Sequence, residues 1–171
     1  MRRFTGCADC TLNVTLLAVG RLRPELRSAC DDYLRRLGRF FDVHEIEVRE
    51  AARAPTRAVQ QAEEARRLLE RLPARARLVA LARSGRGWTS EELAGRVKTW
   101  QEESRPLVLV LGGSTGLDAV VLGRAEERWS LGPLTLPHEL ARVVAVEQLY
   151  RAATILRGTP YHKGAPAGPD G

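Results

Sequence analysis

The last third of the chain holds the side chains whose types and spacing suit proton transfer and phosphate binding. Histidine, glutamate and tyrosine exchange protons, and arginine binds phosphate through two hydrogen bonds or stacks on a base. General acid–base chemistry requires the group to lie within hydrogen-bond reach of the proton that it moves. The candidates for this chemistry are His138, Arg142, Glu147, Arg151, Tyr161 and His162.

Tyr161 and His162 follow Pro160 in a short polar end, where the residues alone leave open a catalytic role or an inert tail. Two other candidates also admit two interpretations each. His138 follows Pro137 at a predicted helix start, where it either serves a site or bonds only to nearby backbone. Glu147 lies among apolar residues, where an unpaired carboxylate is costly. Arg151 follows it at the i+4 spacing of a helical ion pair. That pair either is purely structural or orients Arg151 toward a polyanion, and the sequence leaves both interpretations open.

A glycine loop runs from Gly112 to Gly116, directly after the clearest apolar run of the chain. Glycines there let the backbone approach a ligand and offer N–H groups near a helix N-terminus, although a plain tight turn has the same composition. No Lys-Ser or Lys-Thr follows the glycines, which excludes a P-loop. The first predicted strand is not followed by the glycine series of a dinucleotide fingerprint, which excludes that fold as well.

Strands alternate with helices along the chain. We predict strands at residues 14–19, 41–48, 78–82 and 106–111, a turn at residues 84–87, and a short extended piece at residues 131–136. Helices are predicted at residues 24–37, 54–72, 118–127 and 137–156, and another follows a capping box of Thr89 and Glu92.

This alternation predicts an α/β fold with a mostly parallel sheet covered by helices on both faces. Ligands of such sheets bind beyond the carboxyl ends of the strands. We therefore expect the ligand crevice to involve the loop after Leu81, the glycine loop and residues 131–136.

Length and composition indicate one packed domain, since the chain has 171 residues of which 44% are hydrophobic. We expect a flexible leader at residues 1–11, a single domain at residues 12–163 and a flexible tail at residues 164–171. No apolar run reaches the roughly 20 residues of a membrane helix, and the start lacks the apolar core of a signal peptide. These features predict a cytoplasmic protein without a membrane partner.

The charge balance favours a polyanionic partner. Lys and Arg number 27 against 21 Asp and Glu, and binding to phosphates releases condensed counterions. Cys7 and Cys10 have CxxC spacing, but no second Cys or His pair follows at the distance of a zinc site. We therefore predict no metal.

Several uncommon strings occur in a fixed order in the second half of the chain. They are LVLGGSTGL at residues 109–117, WSL at 129–131, LTLPH at 134–138, EQLYRA at 147–152 and PYHK at 160–163. Together they closely resemble the ribosomal RNA large subunit methyltransferase H family of the SPOUT class. The resemblance extends over about residues 12–163 and is most specific after Leu107.

The resemblance implies a C-terminal trefoil knot, S-adenosylmethionine as the cofactor and a homodimer whose active site is completed at the two-fold interface. It assigns the cofactor contacts to Leu81, Gly112, Leu131, Gly132, Pro133, Leu134, Thr135 and Leu136. It also implies that Tyr161 stacks on a base, that His162 lies close to the proton transfer and that Lys163 contacts phosphate.

The implied reaction is N3-methylation of a pseudouridine in the 23S rRNA stem-loop that faces the decoding centre (helix 69), in assembled ribosomes. Arginines at residues 35, 36 and 39 and at residues 66, 67 and 71 either line the ribosome-facing surface or belong to solvated helix faces. Three alternatives stay open: a knotted RNA-binding protein without activity, another nucleotide-binding α/β protein, and a methyltransferase for a different rRNA or tRNA base.

Overall fold

The structure, a computed structural model, describes residues 1–4 and 12–161. These residues form six strands and five helices. In chain order the elements are β1 (Arg2–Phe4), β2 (Asn13–Val19), α1 (Pro24–Leu37), β3 (Asp42–Val48), α2 (Arg57–Leu69), β4 (Arg77–Gly87), α3 (Ser90–Glu102), β5 (Leu107–Leu111), α4 (Ala119–Arg124), β6 (Glu127–Ser130) and α5 (His138–Leu156). Among the described helices, none combines the length and apolar character needed to cross a membrane.

The strands form one sheet in the order β1-β3-β2-β5-β4-β6. β1 runs antiparallel to β3, and every other neighbouring pair is parallel. Val14 of β2 is in register with Val43 on one side and with Leu107 on the other. Parallel neighbours need crossover connections, which the helices supply. The predicted mostly parallel sheet is confirmed.

Both faces of the sheet are buried, because successive residues of a strand point to opposite sides. Leu16 and Leu109 belong to the core cluster that contains the buried residues of α1, α3 and α5. Leu17 and Val110, each the next residue along its strand, belong to the cluster formed with α2 and α4. Burying each such side chain contributes about 2 kcal/mol. Helices therefore cover both faces, as predicted.

The helix starts follow the expected signals. The amide of Glu92 donates to Thr89 Oγ1 at 3.1 Å, and the amide of Thr89 donates to the Glu92 carboxylate at 2.8 Å. This is the predicted capping box of α3. Pro24 opens α1, and Pro137 directly precedes α5.

β4 is longer than predicted, because the strand continues to Gly87 and the turn expected at residues 84–87 is wrong. At Gly85 the backbones of β4 and β6 lie in close contact. A β-carbon there would lie 2.6 Å from the carbonyl carbon of Arg128 in β6. The β4–β6 register shifts between Leu81 and Arg86. Glycine inside a strand marks such contacts as well as turns.

The last strand also differs from the prediction. It spans Glu127–Ser130 rather than residues 131–136, and α4 ends at Arg124. Glu127 gave the segment a helical, solvated pattern, but its carboxylate accepts from the Trp100 indole at 2.9 Å and pairs with Arg77 at 3.1 Å. Long-range partners therefore make a strand that no local pattern shows. Helix α2 is also shorter than predicted, because it begins after Thr56, whose side chain accepts from the Val59 amide at 3.2 Å, and ends at Leu69.

Residues 2–4 of the predicted leader form the edge strand β1. β1 pairs antiparallel with β3, and Arg3 forms an ion pair with Asp42 at 3.1 Å. A three-residue strand is too short to show periodicity. The rest of the predicted leader, with Cys7 and Cys10, lies outside the described residues, as does the predicted tail. The trefoil knot stays a prediction.

Candidate active site

A cavity of about 780 Å³ lies at the carboxyl end of β5 and beside residues 81–84 of β4, within the size range of small-molecule sites. Its walls come from the glycine loop, from the segment between β6 and α5, and from the start of α5. The predicted cofactor contacts that line it are Leu81, Gly112, Leu131, Gly132, Leu134, Thr135 and Leu136. Pro133 is exposed and does not line the cavity.

The glycine loop folds back on itself beside this cavity. A β-carbon at Gly112 would lie 2.5 Å from the carbonyl carbon of Gly116. Gly113 and Gly116 form an isolated antiparallel bridge. Gly116 has φ of 81°, in the left-handed region that favours glycine. The loop therefore brings bare backbone to the cavity wall.

Side chains of α2 and of the segment before it bind this loop. Arg57 Nη2 donates to the main-chain oxygen of Thr115 at 2.9 Å, and Gln61 Nε2 donates to the same oxygen at 2.7 Å. The hydroxyl of Ser114 donates to Glu50 Oε1 at 2.8 Å. Three side chains from the β3–α2 region thus fix the position of the loop.

The segment at residues 131–136 forms the opposite wall. The hydroxyl of Ser130 donates to the oxygen of Gly132 at 3.1 Å and accepts from its amide at 3.2 Å. Gly132 has φ of 116°, so a side chain at this position would strain the backbone. Leu134 lines the cavity and is 77% exposed. One apolar wall of the cavity is therefore open to solvent in a single chain.

His138 begins α5 and is the one predicted catalytic residue, among those described, that lines the cavity. Its Nε2 would lie 3.9 Å from a β-carbon at Gly20. The neighbouring Glu139 accepts from the Arg23 amide at 2.7 Å, which lowers the pKa of its carboxyl below the usual range. The Arg23 guanidinium also pairs with Glu139 at 3.2 Å. The β2–α1 loop is thereby fastened to the start of α5.

Arg142 lies inside the protein, with a side chain only 1% exposed. Its Nη1 donates to Glu47 at 2.8 Å, and its Nη2 donates to the main-chain oxygens of Val19 and Gly20 at 3.0 and 2.9 Å. It does not line the cavity. The predicted catalytic role finds no support in this position. The contacts instead suit a positioning role, because they fix the Gly20 turn beside His138.

Glu147, Arg151 and Tyr161 form a second group, which we call the tail cluster. Arg151 Nη2 donates to Glu147 Oε1 at 2.7 Å, and the Tyr161 hydroxyl donates to the same oxygen at 3.0 Å. The Arg151 guanidinium lies 4.9 Å from the centre of the Tyr161 ring. Burial and the hydrogen bonds to Tyr33 and Glu147 raise the pKa of Tyr161 above its usual value. The phenol is therefore a neutral donor, not a base.

The predicted catalytic residues divide into two places. Glu147 lies nine positions after His138 on the same helix, which is about 14 Å along the helix axis. His138 faces the cavity, whereas the tail cluster lies farther along α5. His162 lies outside the described residues. Within residues 1–4 and 12–161, no group of three or more His, Cys, Asp or Glu could hold a metal ion.

Comparison with known proteins identifies the family. The sequence profile of the family described as predicted SPOUT methyltransferase matches residues 12–162, which is most of the chain. The chain belongs to the SPOUT methyltransferases. The resemblance inferred from the motifs is confirmed.

Curated relatives of this SPOUT chain cover nearly the same length. A protein of Rubrobacter xylanophilus is 55% identical over 152 residues, which are 86% of this chain and 96% of that protein. A protein of Anaeromyxobacter sp. strain Fw109-5 is 48% identical over 153 residues, which are 89% of this chain and all of that protein. Both are named ribosomal RNA large subunit methyltransferase H.

A solved structure shares the fold of this chain. It is described as a probable methyltransferase from Bordetella pertussis Tohama I and aligns with a TM-score of 0.51 at 18% identity. The alignment covers 84% of this chain and 97% of that one. At this identity the likeness shows the fold alone.

Sequence reasoning missed three residues of this SPOUT site. Arg57 and Gln61 hold the glycine loop across 54 or more positions of sequence, and no local pattern indicates such a contact. Ser130 belongs to the WSL string but had no assigned role. Its position two residues before a glycine, where a hydroxyl can bond to the backbone two residues on, was the available signal.

Proposed function

We propose that this SPOUT methyltransferase transfers a methyl group from S-adenosylmethionine to large-subunit ribosomal RNA. The observation that carries the proposal is the cavity beside the glycine loop, in a chain 55% identical to a relative named for this activity. The finer proposal is N3 of a pseudouridine in helix 69 of 23S rRNA. The substrate is the assembled ribosome in the cytoplasm.

The cavity residues fit the cofactor. Leu81, Leu131 and Leu136 offer an apolar wall for an adenine ring, and the glycine loop offers backbone groups for polar edges. Thr115 Oγ1 is buried without a hydrogen-bond partner in the described part of the chain, and a polar ligand atom would satisfy it. When bound, S-adenosylmethionine supplies an electrophilic methyl group.

Alignment and exclusion of water are the main tasks of the protein in such a displacement. The glycine loop is fixed by Arg57 and Gln61, and the opposite wall by Ser130. The target base has to leave its stack to enter the cavity. Rigid walls on both sides then limit the positions that the base can take.

The acceptor nitrogen of a pseudouridine carries an imide proton that must be removed, or its developing oxyanion stabilised. His138 lies at the cavity and takes this proton in our proposal. Tyr161 is a neutral donor and an aromatic ring, so it suits hydrogen bonding and stacking with a base. Arg151 supplies positive charge beside it.

His138 and the tail cluster meet in our proposal at a two-fold interface, where the tail cluster of one protomer faces the cavity of its partner. The outward stripe of α5 supports this arrangement. Leu140, Val144, Glu147 and Arg151 recur at helical spacing along it. Leu140 is 37% exposed, and Leu134 on the cavity wall is 77% exposed. A second copy would cover these apolar side chains and close the open wall.

The test is transfer of labelled methyl from S-adenosylmethionine to assembled ribosomes that lack the modification, with isolated large subunits alongside. The product nucleoside is identified by mass. We expect label at N3 of a pseudouridine of 23S rRNA, with assembled ribosomes as the better substrate. Absence of label on every rRNA and tRNA, from a folded dimer that binds the cofactor, would contradict the proposal and favour an RNA-binding protein without activity.

A further inference from the structure

Ion pairs neutralise most arginines of the two helix runs that the sequence suggested as RNA-facing. Arg35 and Arg36 both pair with Asp32. Arg66 pairs with Glu70 at 2.6 Å, and Arg67 pairs with Glu63 at 3.0 Å. A guanidinium that is already paired with a carboxylate has to exchange that partner before it binds phosphate. These runs are therefore poor candidates for the RNA surface.

Three exposed arginines beside the cavity have no such partner. The side chains of Arg21, Arg49 and Arg53 form no hydrogen bond or ion pair within the described residues, and all three are exposed. Arg21 follows the end of β2 and Arg49 follows the end of β3, which is its neighbour in the sheet. The two ends lie close together, since the amide of Gly20 donates to the oxygen of Val48 at 2.9 Å. Arg53 lies in the turn that leads from β3 to α2. All three lie at the carboxyl edge of the sheet.

Arg83 stands on the other side of the cavity. It is exposed, lines the cavity, and has no side-chain partner in the described part of the chain. It belongs to β4, which is separated from β3 by β2 and β5. Leu81 of β4 is in register with Leu111 at the end of β5, so Arg83 lies about level with the ends of β2 and β3. Three strand spacings of about 4.8 Å place it about 14 Å from β3. Free positive charge therefore flanks the cavity on both sides.

We propose that Arg21, Arg49, Arg53 and Arg83, here called the arginine rim, bind the phosphates that flank the target nucleotide of an RNA substrate. The proposal rests on the proposed function and adds the surface through which the RNA is held. An extended strand of RNA laid across the rim would present its phosphates on both sides while one base enters the cavity. Arginine suits this contact because its planar fork binds phosphate with two hydrogen bonds.

The carboxylates near the arginine rim bind other partners. Glu139 pairs with Arg23, and Glu47 pairs with Arg27 and Arg142. Glu50 accepts from Ser114 in the glycine loop. Among the described residues, none of these carboxylates forms an ion pair with a rim guanidinium.

The test is the triple variant R21Q/R49Q/R53Q, which leaves every cavity-lining residue in place. Binding of a fluorescent RNA stem-loop is measured over a range of salt concentrations. Each phosphate contact releases about 0.7 counterions from a single strand. Loss of three contacts should therefore lower the magnitude of the slope of log K against log salt concentration by about two units, and weaken binding about 50-fold at 0.15 M salt. Calorimetric affinity for S-adenosylmethionine should stay unchanged.

The matched control is R39Q/R71Q/R75Q. It removes three exposed charges without a described partner, near the amino ends of the strands and so opposite the cavity. We expect little change in RNA affinity or salt slope for this control. An equal loss of RNA affinity in both triple variants would show that only net charge matters and would contradict the proposed arginine rim. An unchanged salt slope of RNA binding in R21Q/R49Q/R53Q would contradict it as well. Failure of the native protein to methylate ribosomes, with the rim variant still losing RNA affinity, would instead contradict only the proposed function.

Discussion

The hydroxyl of Tyr161 donates a hydrogen bond to Oε1 of Glu147 at 3.0 Å, which ties the segment after α5 back onto the helix. The Tyr161 ring also packs edge-on against Tyr150, with centroids 4.7 Å apart. Arg151 lies over its other side. The orientation of the tail is therefore set by one hydrogen bond and two ring contacts, and these can be removed separately.

We expect Y161F to keep the ring contacts and lower methyl transfer about tenfold, the effect of one lost hydrogen bond. Y161A should lower it about 100-fold, since loss of the ring leaves both the tail and the base misplaced. Both variants should bind S-adenosylmethionine normally, because Tyr161 does not line the cavity. Single-turnover rates and calorimetry measure the two quantities.

Y33F is the control for this series. Tyr33 contacts the Tyr161 hydroxyl at 3.4 Å, so its loss disturbs the same neighbourhood without removing the bond to Glu147. We expect nearly native transfer from it. Unchanged turnover in Y161A would remove Tyr161 from the mechanism.

Arg142 should matter for stability. R142M leaves Arg27 as the one remaining described cation that pairs with Glu45 and Glu47. Breaking the buried pairs of Arg142 costs about 3–5 kcal/mol. Burial already raises the pKa of Glu45, against the lowering effect of Arg27 and Arg142. A raised carboxyl pKa gives stability at low pH that is lost as pH rises, so the deficit of R142M should shrink toward about pH 5. Urea unfolding at two pH values measures this.

R66A serves as the comparison, because its pair with Glu70 is exposed and should be worth less than about 1 kcal/mol. A deficit of R142M no larger than that of R66A would show that the buried network contributes little. Native stability with lost methyl transfer would restore a direct catalytic role for Arg142.

The central strands were predictable from sequence, and the edge strands were not. β5 is wholly apolar and β2 is apolar from Leu16 to Val19, and a glycine follows each strand, a pattern that burial on both faces produces. β1 and β6 carry charges at the sheet edges, and Asp42 and Arg77 are the long-range partners that stabilise those charges. Such partners are invisible in a local window of sequence.

The site was predictable to a similar degree. The rule for strand ends and the resemblance placed the cavity walls at Gly112 and at residues 131–136, and the structure brings these together. Arg142 faces the core because Glu45 and Glu47 on β3 receive it. The helical pattern of α5 alone could not show that orientation, since the helix is apolar on most of its surface.

Cys30 should make the stability of the protein depend on pH in the alkaline range. Burial, with the nearby Glu45 carboxylate, raises the pKa of its thiol to about 12. A raised pKa stabilises the folded state fully below the unfolded value of about 8.5, and this contribution is lost as pH rises toward 12. In a C7S/C10S background, stability should fall between pH 7 and about pH 10 by roughly 2 kcal/mol more than in C7S/C10S/C30A. Identical pH dependence in the two chains would contradict the buried, protonated thiol.

Gly112 should be needed for cofactor binding more than for folding. A β-carbon in G112A would lie 2.5 Å from the carbonyl carbon of Gly116 and 2.8 Å from the amide nitrogen of Leu117, so the loop backbone must move. Because this backbone forms the cavity wall, a shift of about 1 Å should lower the rate of methyl transfer roughly 100-fold and weaken the binding of S-adenosylmethionine.

G95A is the matched control, since nothing lies within 4 Å of a β-carbon there and the position is on α3. Alanine in that helix should leave binding unchanged and stabilise the fold by up to about 1 kcal/mol. Calorimetry on both variants decides the matter: equal cofactor affinity in G112A and G95A would mean that the close turn of the glycine loop is a packing feature and not part of the binding site.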